Sequence, residues 1–244
     1  SAGPAFEGAG VHSGMRATVG AIEEVWINAD SYEPTYQVIG DVPPRGICGS
    51  GMIALLAEMF ITGVMDKSGH LNHALNTPRI RVGEHGSEYV VAWAAETHSP
   101  GTDIALTEVD ISNLIRAKGA IYAGFLVLTQ SLGINLADVE EVLIGGAFGK
   151  YIDIEKAIQI GLMPDMPWER FRYLGNTSVL GAFTALLCRD MRREVTEIAK
   201  KMTYLELSAD NRFMEQFTSA LFLPHTDTTS FPSVMRLLAG QGKE

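Results

Sequence analysis

After a glycine-rich opening, Ile22, Val25 and Ile27 set up an alternating apolar pattern that predicts a strand, and 36–39 predict a second. Pro43 and Pro44 exclude helix from the turn that follows. Gly49, Ser50 and Gly51 then lead into 52–64, apolar on all sides and expected to form a mostly buried helix. Residues 65–106 read as irregular structure with short strands, clearest in "SEYVVAWAA". Thr107 carries a capping signature, a hydroxyl before a turn containing Glu108 and Asp110. The helix it opens, 110–133, runs for about six turns with Ile111, Leu114, Ile115, Ile121 and Phe125 at helical spacing, and Gly133 is its expected stop.

Beyond it, "EVLIGGAFGKYID" (141–153) drops from a short buried-strand pattern into closely spaced glycines. A helix over 154–160, broken by "GLMPDMP", precedes "FRYLGNTSVLGAFTALL", which repeats the order of strand, glycine turn and helix. A charged helix over 189–202, a strand "TYLEL" (203–207), a helix over 210–222 and a tail, 223–232, complete the pattern. The alternation after residue 107 predicts an α/β fold with helices covering a sheet.

Charge and cysteines narrow the function. A formal net charge of −10 argues against non-specific binding to nucleic acid or an anionic membrane. No stretch approaches the roughly 18 uninterrupted apolar residues of a membrane span. The start, "SAGPAFEGAG", lacks a Met, a basic cluster and an apolar core, so it reads as the middle of a larger unit rather than a signal peptide. Cys48 and Cys188 lie far apart and cannot build a disulfide framework or a cysteine metal site. The expected setting is reducing and cytoplasmic.

Ile144 to Gly149, IGGAFG, has two readings. A strand end with bare glycine backbone can let an adenine or ribose lie flat, beside a helix start with unpaired N–H groups. A plain strand-to-helix connection is the commoner source of so short a pattern. Neither the dinucleotide fingerprint nor the phosphate-cradling loop fits; Tyr151 stands where the latter needs the Ser or Thr hydroxyl that binds Mg2+. His70 and His73 could be half of a metal site but lack a third ligand at suitable spacing. For His225, docking of a C-terminal arm outweighs a substrate contact.

Several segments in order resemble one family, the reductive activators of corrinoid proteins. They are "SAGPAFEGAGVHSGMRATVGAIE" (1–23), "PPRGICGSGMIALLAEM" (43–59), "RAKGAIYAG" (116–124), "IGGAFGKYID" (144–153), "AIQIGLMPD" (157–165), "LGNTSVLGA" (174–182) and "FLPHTD" (222–227). The C-terminal part of that family belongs to the acetate kinase, sugar kinase, heat-shock chaperone and actin superfamily. The resemblance implies a ribonuclease-H-like (actin-like ATPase) second lobe with a β-rich insertion. Residues 1–106 would hold the glycine-rich loop, strands and insertion, and 107–244 the nucleotide-facing α/β lobe with its tail.

It also implies ATP and Mg2+ as cofactors of the full-length protein and a corrinoid protein as partner, returned from Co(II) to Co(I) with electrons from a [2Fe-2S] domain. Gly145, Gly146, Ala147, Phe148 and Gly149 match the adenosine motif. Lys118 matches a basic residue leaning over the ribose and adenine. Glu7, Gly8 and Gly10 fall in a loop near the nucleotide. Gly175 and Asn176 match the start of a connecting helix, where Gly181 and Ala182 would allow close helix approach.

The chain departs from the family in having no Asp-x-Gly-Thr phosphate hairpin and no cysteine cluster. The lobe is therefore expected to lack its phosphate-loop strands, and the fragment alone to leave ATP unhydrolysed. Its sheet would keep an exposed edge, covered either by the missing N-terminal segment or by a neighbouring molecule, as in a homodimer. Two alternatives stay open: a nucleotide-independent docking module for the corrinoid protein, and a lobe of a small-molecule kinase of the same superfamily. No catalytic residue is nominated.

Overall fold

The computed structural model describes residues 4–99, 101–146 and 148–240. β1 (Ala21–Ile27) lies between β2 (Pro34–Val38), antiparallel to it, and the short β3 (Gly46–Ile47), parallel to it. α1 (Gly49–Ile61) packs on β1 with every residue except Glu58 buried. Ile22, Val25 and Ile47 share one apolar core with Met52, Leu55, Leu56 and Met59. Fully burying side chains of this size is worth about 1.5–3 kcal/mol each, so a helix apolar on all sides ends up inside.

β4 (Ile80–Gly83), β5 (Gly86–Ala92) and β6 (Ile104–Thr107) form an antiparallel sheet in that order, within the region expected to be irregular with short strands. Arg79 ties this sheet to the segment before β2. Its Nε and Nη2 donate to Glu33 Oε2 at 2.9 and 2.6 Å, its Nη1 to the carbonyls of Val90 and Val91, and its guanidinium lies 4.8 Å over the Trp93 ring.

α2 (Glu108–Ser131) starts directly from β6. The expected cap forms as a reciprocal pair: Asp110 N–H donates to Thr107 Oγ1 at 3.1 Å, and Thr107 N–H to Asp110 Oδ2 at 3.1 Å. By length and composition α2 could cross a membrane, yet Ile111, Leu114, Ile115 and Tyr122 are core residues and α6 (Asn211–Ser219) packs along it. Gly133 sits just past its end with φ 65°, as expected of a helix stop.

β7 (Val142–Gly145) and β8 (Phe171–Gly175) form a separate parallel pair. Between them come a 3-10 turn, Phe148–Tyr151, and α3 (Ile154–Gln159), which packs on α1. Lys156 Nζ locks that contact by donating to the Val25 carbonyl at 2.7 Å and pairing with Glu58 at 3.1 Å. α4 (Thr177–Leu187), α5 (Arg189–Lys201) and a final α7 (Pro232–Gly240) complete the chain.

Three expectations are corrected. The helix expected over 52–64 begins at Gly49 and ends at Ile61, because the glycines form its first turn instead of a lead-in. The strand expected over 203–207 is absent: Tyr204 is exposed, and Glu206 bonds back to Ser208 N–H, bending the segment into a 3-10 turn, Leu207–Ala209. Beyond the expected tail the chain forms α7, whose Val234 is buried and whose Leu237 and Leu238 pack against the core at helical spacing. Finally, among the described residues no helix approaches Gly181; a methyl group there would meet nothing within 4 Å.

Candidate functional site

The carboxyl ends of β7 and β8 bring Gly145, Gly146, Gly175 and Asn176 together. The strands pair in register at Ile144 with Tyr173, then shift so that Gly145 faces Gly175. Gly146 N–H donates to the Gly175 carbonyl at 2.8 Å. Asn176 caps α4, its Oδ1 accepting from Val179 N–H at 3.2 Å. A ligand held where parallel strands end and a helix begins meets backbone N–H groups and little side chain.

These glycines have different causes. A methyl on Gly145 would lie 2.7 Å from Thr177 Oγ1, and one on Gly149 would collide with Ile144 Cγ2, so the protein's own packing requires both. Gly146 and Gly175 have φ of 102° and 74°, and a methyl on either would meet nothing within 4 Å. They alone of the set combine a left-handed backbone with open space. Phe148 and Gly149 begin the 3-10 turn, and Ala147 lies outside the described residues.

Glu7 and Gly8 line a second feature, a cleft of about 740 Å³ shared with Met15, Arg16, Ser50 and Tyr151. Glu7 ends a 3-10 turn, Ala5–Glu7, anchored by the buried Phe6, and Gly8 closes it with φ 87°. Tyr151 ends the turn that begins two residues after Gly146, so one short segment joins the strand end to the cleft. Gly10 does not line the cleft. It sits on an exposed turn whose carbonyl accepts from Asn113 Nδ2 at 3.1 Å.

The reading of Lys118 as a group leaning over a nucleotide is corrected by its burial. The side chain is fully enclosed, and Nζ donates to the carbonyls of Phe222 at 2.6 Å and Pro224 at 2.8 Å. Burial without a carboxylate partner pulls its pKa down to about 7. Lys118 therefore anchors the C-terminal segment to α2.

His225 belongs to the same joint, in keeping with a docked arm. Its Nδ1 accepts from Asp227 N–H at 3.0 Å, and its ring lies against Tyr122 and Phe231. Burial, and then the neighbouring Lys118, push its pKa down. His70 and His73 do not converge on one point. His70 is exposed and lies 3.9 Å from Glu108, whereas His73 Nε2 meets Ser87 Oγ at 3.0 Å. Among the described residues no three His, Cys, Asp or Glu side chains are grouped to hold a metal.

Two residues that motif reading did not nominate lie at the candidate site, Tyr173 beside Gly146 and Tyr151 in the cleft. For Tyr173 the strand register places it level with Ile144, two positions before Gly146, which the sequence alone does not give. The surface around the strand end is apolar. None of the residues of α4 is buried, and Val179, Leu180, Phe183, Leu186 and Leu187 are all more than half exposed. Parallel strands ordinarily have both faces covered, yet Leu143 of β7 and Leu174 of β8 are also exposed.

Comparison with known proteins gives the family. The family model described as the C-terminal domain of RACo, the ASKHA domain, matches residues 1–235. Corrinoid activation enzyme RamQ of Eubacterium limosum is 38% identical over 221 residues, which cover 88% of this chain and 37% of RamQ. The [Co(II) methylated amine-specific corrinoid protein] reductase of Methanosarcina barkeri is 31% identical over 223 residues, covering 83% and 37%. A solved structure of a reductive activator for corrinoid, iron-sulfur protein superposes with a TM-score of 0.90 at 52% identity, over 96% of this chain and 37% of that one. The chain thus spans a little over a third of the length of these relatives.

Proposed function

The chain belongs to the family of RACo C-terminal ASKHA domains, and on that premise we propose that it is the nucleotide-facing part of an ATP-dependent reductive activator. Its full-length protein returns a Co(II) corrinoid protein to Co(I) in the cytoplasm, with one electron supplied by a [2Fe-2S] domain outside these residues. ATP hydrolysis supplies the free energy for that uphill transfer. The relatives named for corrinoid activation and Co(II) corrinoid protein reduction support this direction.

One observation carries the assignment to this chain. Gly146 and Gly175 present left-handed, uncovered backbone at the ends of two parallel strands. A flat heterocycle such as adenine fits against backbone that has no Cβ. The 740 Å³ cleft with Glu7 and Arg16 lies along the same segment and fits the remainder of the nucleotide. The Mg2+ and phosphate ligands are assigned to an Asp-x-Gly-Thr hairpin outside these residues, in a ribonuclease-H-like lobe that β7 and β8 help to build.

Calorimetry with ATP on the full-length protein, wild type against Gly146→Val, tests the assignment. Valine strains a backbone that favours glycine and fills the open face, so binding is expected to weaken roughly tenfold, which corresponds to about 1.4 kcal/mol. Unchanged affinity would remove adenosine from this strand end.

A further inference from the structure

Resting on the reading of the strand end as an adenosine seat, we infer that Tyr173 is a positioning residue that holds the Gly146 peptide in its ligand-ready orientation. The Tyr173 hydroxyl donates to the Gly146 carbonyl at 3.0 Å, while the Gly146 N–H is spent on the Gly175 carbonyl at 2.8 Å. Both polar groups of Gly146 are therefore tied to β8 or its end. Its α-carbon face is left as the uncovered part.

A glycine needs such ties more than any other residue. It has the widest choice of backbone conformations and loses the most freedom when a ligand fixes it. Holding it before the ligand arrives removes that cost from binding. The strand ladder fixes the N–H, but only a side chain can reach the carbonyl once the chain has turned away from β7. Tyr173 has the required reach because it pairs with Ile144, two residues before Gly146. Its ring also borders Gly149: a methyl there would touch Tyr173 Cε2 at an ordinary 3.5 Å, while Ile144 is what excludes it. Ile144, Gly149 and the Tyr173 ring pack as a support behind the bare backbone.

Tyr173→Phe keeps the ring and deletes the hydroxyl. In the full-length protein it is expected to weaken ATP binding roughly three- to tenfold, the worth of one hydrogen bond. The affinity for inorganic triphosphate, which lacks the adenosine, and the thermal midpoint are expected to stay at the wild-type values. Gly146→Val is measured beside it. If Gly146→Val weakens ATP binding and Tyr173→Phe does not, the role of Tyr173 is overturned and the adenosine seat stands. If Tyr173→Phe weakens triphosphate as much as ATP, the effect is a general loosening of the lobe and the positioning role is equally overturned. If neither variant changes ATP affinity, the seat itself is wrong and Tyr173 has nothing to position.

Discussion

Lys118→Met is expected to loosen the C-terminal segment from α2, with a loss that is greatest at pH 10 and shrinks toward pH 7. Lys118 Nζ serves the buried carbonyl of Pro224 and the partly buried one of Phe222, and its neutral amine still has two N–H groups to offer them. Methionine fills similar volume but leaves both carbonyls without this donor, at about 1–3 kcal/mol for the buried one. The pH dependence follows from a folded pKa of about 7 against an ordinary 10.5. Above pH 10.5 the amine is neutral in both states, and the folded protein carries no penalty. As pH falls from there, the unfolded chain takes up a proton that the folded chain refuses until about pH 7. Wild-type stability is therefore lost across that window, by about 4–5 kcal/mol in all, and is flat below it.

The methionine variant has no such slope. Hydrogen exchange over residues 221–227 of the full-length protein, at pH 7 and pH 10, reads the difference directly. That segment includes Leu223 N–H, bonded to the Lys67 carbonyl, and Thr226 N–H, bonded to the Ser219 carbonyl. An equal loss of protection at both pH values would show that Lys118 is protonated throughout.

The second large effect concerns turnover. Expressed alone, these 244 residues are expected to release no phosphate from ATP above the uncatalysed background. Phosphoryl transfer depends on groups that position and neutralise the β- and γ-phosphates and their metal. No Asp-x-Gly-Thr hairpin occurs in the sequence, and no metal-holding carboxylate group occurs among the described residues. Phosphate release by the isolated chain is compared with that of the full-length protein supplied with a Co(II) corrinoid protein, after circular dichroism verifies that the isolated chain is folded. Turnover matching the full-length protein would place the catalytic groups inside this chain.

Much of the fold could be read from local chemistry. The Thr107 cap, the glycine that ends α2 and the repeated order of strand, glycine turn and helix all depend on residues close in sequence. Position in the sequence could not tell where Lys118 points, since the same place on a helix serves a solvent-facing or an inward lysine. Its burial is decided by a segment about 100 residues away. The short "TYLEL" run has strand composition, but a strand needs a neighbour, and Glu206 provides a local alternative. The glycines of "IGGAFG" look alike in a motif. Only packing separates Gly145 and Gly149, which Thr177 and Ile144 require, from Gly146, which faces open space.

The turn Phe148–Tyr151 sets a rule about chain length. A 3-10 turn advances about 120° per residue, so one residue inserted within it would swing Tyr151 a third of a revolution away from the cleft it lines. Substitutions leave that angle alone, whereas a single-codon insertion or deletion resets it. The turn is thus sensitive to length as well as to composition, since Ile144 already requires glycine at 149.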